Sequence, residues 1–256
     1  MSKPIWEGVY KSFRDAPSSG PGFTGERWIQ NSLEKINAVR QDAQKKGTVS
    51  SVTQYRESLL PFVAAMVLNE FEGVRILDFG GGVGFSYYQV LHGLPRTENF
   101  EFHIVEIDEL CEVGKQYFQN EQHIFFHSSL PREEGLTFDI VHMGSSLHYF
   151  EEWEELLSRL CRYKSRYFLF TDLPAGDIPT FATVQSYYTS KIPVWFFNID
   201  EIINAVTRQN YHLVFKSAYV ATVLGQEREI PQDNFEEQYR LGHTCSLLFA
   251  KRDSYD

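Results

Sequence analysis

The rhythm of apolar and polar positions changes near Gly73. Upstream, apolar residues recur at helical spacing. Trp6, Tyr10 and Phe13 are spaced as on one helix face, in an irregular segment, 1–23, broken by Pro17, Gly20, Pro21 and Gly22. Thr24 is a plausible N-cap for an amphipathic helix over Glu26–Lys46. Trp28, Leu33, Ile36 and Val39 form its apolar side, and Gly47 fits its stop. A second helix is predicted over about Ser51–Phe71, with Pro61 near a kink or a restart.

Beyond Gly73, short apolar runs alternate with helical stretches. Val74–Phe79, Phe102–Ile107, His123–His127, Phe138–Met143 and Tyr167–Thr171 read as strands, with helices over Phe85–Leu91, Glu109–Asn120 and Glu151–Arg162. This alternation predicts an α/β fold whose parallel sheet is joined by crossover helices. Residues 173–198, with Pro174, Pro179, Pro193 and many aromatics, interrupt it as an insertion over one end of the sheet. Asp200 can cap a helix over Glu201–Gln209. Leu213–Tyr219 and Cys245–Ala250 are late strands separated by a polar excursion, Gly225–Arg240. The expected organisation is an N-terminal helical and aromatic cap, 1–72, before an α/β domain, 73–256.

Composition narrows the partners. The formal net charge is −10 with no long basic run, which disfavours a nucleic-acid substrate. Cys111, Cys161 and Cys245 are far apart and form no CxxC pair, so neither a zinc ribbon nor a redox motif is suggested. Such sparse cysteines fit a reducing compartment. The opening residues carry no signal-peptide apolar run, and Leu59–Leu68 is too short to span a bilayer. A cytoplasmic protein without a transmembrane segment is expected.

The strongest local signal is Val74-Arg-Ile-Leu-Asp78-Phe-Gly80-Gly81-Gly82-Val-Gly84, an apolar strand ending in an acid before a glycine-rich turn. Glycines let a backbone turn tightly and approach a ligand closely. The dinucleotide fingerprint GxGxxG fails here, because its third glycine falls on Phe85. A phosphate loop needs a lysine, and none is present. What remains is acid-x-Gly-x-Gly-x-Gly over Asp78, Gly80, Gly82 and Gly84. It resembles motif I of the class I S-adenosylmethionine-dependent methyltransferases. An acid suits a cofactor that brings a cationic amino group rather than a pyrophosphate.

Further motifs extend the resemblance. Phe102-His-Ile-Val-Glu106-Ile-Asp108 puts an acid at a strand end, where it can accept ribose hydroxyls, as in dinucleotide folds. Glu106 is favoured for this role, while Asp108 has a rival explanation as a helix cap. Ser128-Ser129-Leu130 follows the third strand, where the class meets the adenine, so Ser129 and Leu130 are candidate cofactor contacts. Phe138-Asp139 opens a strand leading to the small-residue loop Gly144-Ser145 and to His148. The resemblance implies a Rossmann-like, seven-stranded, mostly parallel sheet with a reversed last strand and helices on both faces. The opening Trp6–Phe13 and Leu147-His148-Tyr149 are also similar to a bacterial methyltransferase family associated with cell-surface polysaccharide loci. That narrower resemblance implies a sugar or lipid-linked glycan acceptor.

Methyl transfer needs alignment and exclusion of water, and a hydroxyl or ammonium acceptor must also lose a proton. His148, after the fourth strand, is the first candidate base, since an unperturbed imidazole accepts a proton near neutral pH. Packing beside Tyr149 and Phe150 is its alternative. Asp172, after the fifth strand, is the second candidate, or else a turn acid. The Asn/Asp-Pro-Pro-aromatic motif of amino-methylating DNA enzymes is missing, and only Asp172 is available where catechol-type enzymes place metal-binding acids. His123 and His127 lie on a strand, which spoils a helix-face metal geometry. Tyr187, Tyr188, Trp195, Phe196 and Phe197 line an acceptor pocket or simply form core. Arg56 pairs with the cofactor carboxylate or is solvated. Two other function classes stay open: a catalytically silent binding module, and another adenosyl or nucleotide enzyme such as an aminopropyl transferase.

Overall fold

The computed structural model describes residues 4–46, 58–133, 136–220, 222–223, 226–227 and 229–252. Gly47, Arg56, Gly225 and the predicted helical residues 51–57 lie outside them. In chain order the strands are β1 Trp6–Tyr10, β2 Val74–Phe79, β3 Phe100–Val105, β4 Ile124–His127, β5 Ile140–Gly144, β6 Tyr167–Leu173, β7 Ala175–Gly176, β8 Phe181–Tyr187, β9 Ser190–Asn198, β10 Tyr211–Tyr219, β11 Thr222–Val223, β12 Gln226–Glu227 and β13 Thr244–Lys251. The helices are α1 Glu26–Lys46, α2 Leu59–Phe71, α3 Phe85–Gly93, α4 Asp108–Tyr117, α5 Trp153–Cys161 and α6 Ile199–Thr207.

A seven-stranded sheet has the order β10-β13-β6-β5-β2-β3-β4, and a four-stranded sheet the order β1-β8-β9-β7. In the larger sheet β2 runs parallel to both β3 and β5, and β3 parallel to β4, while β10 and β13 pair antiparallel. This is the α/β, mostly parallel architecture expected. Its central strands read as apolar runs because both faces are covered: Ile76, Leu77, Phe102 and Ile104 are all fully buried. The chain divides into two compact units, one of Met1–Gly22, Gly144–Arg162 and Phe170–Asp256, the other of Phe23–Met143 and Tyr163–Leu169. This division does not follow the 72/73 boundary drawn from the sequence.

In the second unit, α1 has the predicted bounds and buries Ile36 and Val39. Gly84 precedes α3 at φ 97°, and a Cβ there would sit 2.7 Å from the Phe118 ring, so close packing as well as backbone sign demands glycine. Asp108 is the first residue of α4 rather than its cap; Ile107 holds the cap position.

In the first unit, the helical spacing of Trp6, Tyr10 and Phe13 proves misleading. Residues 6–10 form β1, antiparallel to β8, with an irregular register between Glu7 and Tyr10. Gly8, at φ 77°, breaks any helix there. The aromatics instead pack on the hairpin: Trp6 lies edge-on to Phe196, and Phe13 against Trp195. Residues 173–198 are ordered strands, β7 to β9, with Phe196 and Phe197 buried in core. Asn198, not Asp200, caps α6, its side-chain oxygen accepting from the Asp200 and Glu201 N–H groups.

Candidate functional site

The glycine turn is built directly on β2 and β3. Gly80 N–H donates to Val105 C=O at 2.9 Å, which pins the end of β2 to the end of β3. Asp78 is 1% exposed, and His142 Nδ1 on β5 donates to its Oδ1 at 2.7 Å. The other carboxylate oxygen, Oδ2, is buried with no hydrogen-bond partner among the described residues. Gly81 crosses directly over it: a Cβ on Gly81 would lie 2.5 Å from Oδ2. Burial of a carboxylate oxygen without a donor costs free energy that a ligand's N–H group can recover.

Glu106 follows β3 and faces the same turn. Its Oε1 accepts from Gly82 N–H at 3.0 Å and its Oε2 from Ile107 N–H at 3.0 Å. Burial pushes its carboxyl pKa up, the two backbone donors pull it back, and the nearby Asp78 charge adds to the rise. Asp108, the rival acid, is exposed in the first turn of α4. Glu106 N–H donates to His127 C=O at 3.0 Å, so the exposed Ser128 and Ser129 begin beside this acid. Asp78, Gly80, Gly81, Gly82, Gly84 and Glu106 are thus gathered in one unit, with Ser129 and Leu130 leaving the adjacent strand.

These groups fit S-adenosylmethionine. The orphaned Asp78 Oδ2 matches an ammonium, and the Glu106 carboxylate matches vicinal hydroxyls. At Gly82, φ 59°, an added Cβ would meet only Trp28 Cη2, at 3.5 Å, so open space borders the backbone there. Two participants escape sequence reasoning. Trp28 reads as the apolar side of an amphipathic helix, yet its indole reaches the turn. His142 reads as one residue of an apolar strand; its pairing with Asp78 across 64 positions has no local signature.

Gly144, Ser145, His148 and Asp172 belong to the other unit. His148 is 5% exposed, its buried Nδ1 has no hydrogen-bond partner among the described residues, and its ring lies 4.2 Å from Tyr149 by centroids. Burial pushes its pKa down to about 3, so the unperturbed imidazole expected from sequence is instead a neutral, weakly basic one. Ser145 and Asp172 are non-glycine residues with left-handed backbones, φ 51° and 52°. They sit at neighbouring strand ends, where Ser145 N–H donates to Thr171 C=O at 2.9 Å. Asp172 lies within β6 rather than after it, and its Oδ1 accepts from Thr244 Oγ1 at 2.6 Å. Such strained residues persist only where the surroundings over-determine them, and they concentrate at functional sites.

Tyr187 and Tyr188 lie at the β8–β9 turn, their centroids 4.7 Å apart, with Tyr188 exposed. His127 Nε2 lies 3.0 Å from His103 Nδ1, and His123 Nδ1 lies 3.0 Å from Phe100 C=O, so the two histidines are engaged separately. Among the described residues no group of three or more His, Cys, Asp or Glu could hold a metal ion, and no helix is long and apolar enough to cross a membrane.

A family model described as a methyltransferase domain matches residues 52–218. No curated protein matches the sequence. Among solved structures, a chain of the complex between the Haloferax volcanii Trm112 methyltransferase activator and a methyltransferase superposes with TM-score 0.54 at 11% identity, covering 92% of this chain and 100% of that one. An S-adenosylmethionine-dependent methyltransferase from Listeria monocytogenes gives 0.51 at 12%, covering 74% and 100%. The 1,6-didemethyltoxoflavin-N1-methyltransferase of Burkholderia thailandensis, with S-adenosylhomocysteine bound, gives 0.50 at 14%, covering 93% of each chain. At these identities the likeness is one of fold.

Proposed function

We propose that this chain, which belongs to the methyltransferase-domain family, takes S-adenosylmethionine as its methyl donor and methylates a hydroxyl of a small polar acceptor, a sugar or glycan precursor. The observation that carries the donor site is the buried, unpartnered Asp78 Oδ2 beneath Gly81, next to Glu106 and Gly82. In this reading Asp78 holds the donor's ammonium, Glu106 accepts its ribose hydroxyls, and Gly82 leaves room for the approach. Ser129 and Leu130 border the adenine, and Gly144 and Ser145 are further candidate contacts of the donor. When bound, the donor supplies a methyl on a sulfonium that is already a good leaving group.

The chain's task is then to align the acceptor and take its proton. Asp172 is the preferred candidate base. Its side chain is half-buried rather than sealed, and its left-handed backbone marks a constrained position. His148, held neutral by burial, orients the acceptor instead of serving as its proton store. The sugar class draws support from the acidic net charge, which disfavours nucleic acid, from the narrower sequence resemblance, and from Tyr187 and Tyr188 as stacking faces.

The test is a methyl-transfer screen with isotopically labelled donor over sugars, nucleotide sugars, glycans, small phenols, peptides and RNA. Transfer to small hydroxyl acceptors is expected. Robust transfer to RNA or intact protein, with none to small hydroxyls, overturns the acceptor reading.

A further inference from the structure

One cleft in the Phe170–Asp256 part of the molecule shares only Thr244 with the site residues and partners described above. It measures about 550 Å³ and is lined by Lys216 of β10, Arg240 and His243 of the segment before β13, and Asp177, Ser217 and Thr244 among others. That volume lies within the range of small-ligand sites. Its charge is unusual for this chain. The protein carries a net −10, yet this cleft presents two permanent cations against one acid, Asp177. Among the described residues neither Lys216 nor Arg240 has a carboxylate partner within ion-pair distance.

The arginine is also held in place. Arg240 Nε donates to Phe235 C=O at 2.8 Å and Nη2 to Asp233 C=O at 3.1 Å. Two neutral carbonyls orient the guanidinium without cancelling its charge, and its remaining N–H groups are left for an anion. Preorganisation of this kind lowers the entropy cost of binding. His243 lines the same cleft, and among the described residues its Nδ1 lacks a hydrogen-bond partner. Finally, Thr244 ties the cleft to the proposed base, because its hydroxyl donates to Asp172 Oδ1 at 2.6 Å.

We infer that this cleft binds an anionic substituent, a phosphate or a carboxylate, carried by the methyl acceptor, with Lys216, Arg240 and His243 as its hydrogen-bond donors. The acceptor is then an acidic or phosphorylated sugar rather than a neutral one. The assignment of that ligand as the acceptor rests on the function proposed above; the anion site itself does not. A charged group seated here leaves the rest of the sugar near Thr244 and Asp172, which would select among hydroxyls by position. It also explains why a strongly acidic protein keeps two unpaired cations together, since its overall field would otherwise repel such a substrate.

Calorimetric titration of the full chain with S-adenosylhomocysteine present tests it, using glucose 1-phosphate, glucuronate and glucose as probes. At least one of the two anionic sugars should bind, its affinity should fall with added salt, and glucose should not bind detectably. Lys216→Gln and Arg240→Gln should each weaken the anionic probe by about tenfold or more, while S-adenosylhomocysteine binds as before. Preference for glucose 1-phosphate over glucuronate identifies the anion as phosphate, and the reverse identifies it as carboxylate. Binding of neither anionic probe, equal binding of glucose, or wild-type affinity in both variants would overturn the inference. Charge-dependent binding without methyl transfer to the bound probe would uphold the anion site and remove that probe from the acceptors.

Discussion

Gly81 and Gly82 are adjacent, yet the structure assigns them different duties, and alanine at each separates fold from ligand. Gly81 has no left-handed φ, so alanine meets no backbone penalty there; the obstacle is steric. The new Cβ would lie 2.5 Å from Asp78 Oδ2 and 2.8 Å from its Cγ, closer than real atoms pack. The carboxylate has little freedom to yield, being 1% exposed and held by His142 at 2.7 Å. Breaking that charge-assisted bond costs about 1.5–3 kcal/mol, and any shift of the turn adds to it. Gly81→Ala should therefore destabilise the protein by about 2–4 kcal/mol, a fall in Tm of roughly 5–15 °C for a chain of this size. Gly82→Ala places its Cβ in ordinary contact with Trp28, at 3.5 Å, and pays only the left-handed backbone strain, about 1–2 kcal/mol. Its methyl, however, enters the space proposed for the donor. The assay is thermal unfolding with and without saturating S-adenosylhomocysteine. At 100 times Kd the ligand stabilises the wild type by about 2.7 kcal/mol. Gly82→Ala should lose most of that ligand-induced shift while remaining the more stable variant. A full ligand shift in Gly82→Ala, or equal thermal loss in the two variants, refutes the reasoning.

Other expected outcomes follow from the same geometry. Glu106→Ala should weaken S-adenosylhomocysteine binding by about tenfold or more in calorimetry, while Asp108→Ala leaves it within about twofold; the opposite ranking would show that the wrong acid was chosen. His142→Phe strands a buried carboxylate and should cost about 3–5 kcal/mol in denaturant unfolding; a loss below 1 kcal/mol would mean that the Asp78 pair is not structural. Burial lowers the pKa of His148 to about 3 and of His103 to about 4, whereas their unfolded counterparts take up protons near 6.5. Protons therefore favour the unfolded chain below that value: this stability is present above pH 6.5 and falls on acidification by about 1.4 kcal/mol per unit for each histidine, down to about pH 4. Denaturation at pH 7.5, 6 and 5 should show a shallower slope in His148→Gln than in the wild type, and identical slopes would contradict the burial argument.

The sequence displays the central sheet well because buried parallel strands announce themselves as apolar runs, and Val74–Phe79 was bounded correctly from that pattern alone. The acid-and-glycine turn was legible for the same reason: its chemistry is local. The N-terminal strand was not. Trp6, Tyr10 and Phe13 have helical spacing, and only pairing with a hairpin more than 170 positions away makes residues 6–10 a strand. His148 shows the limit for chemistry: its residue type suggests a base at neutral pH, whereas burial, a tertiary property, pushes its pKa down. The Asp78–His142 pair and the reach of Trp28 to Gly82 are likewise contacts between distant positions that no local motif encodes.

A crystal structure of the protein with S-adenosylhomocysteine decides whether Asp78, Gly82 and Glu106 hold the donor. The ligand's amino group is expected within hydrogen-bond distance of Asp78 Oδ2, supplying the partner that this buried oxygen lacks, and the ribose hydroxyls on Glu106. A ligand seated elsewhere, with Asp78 Oδ2 still unpartnered beneath Gly81, would contradict it.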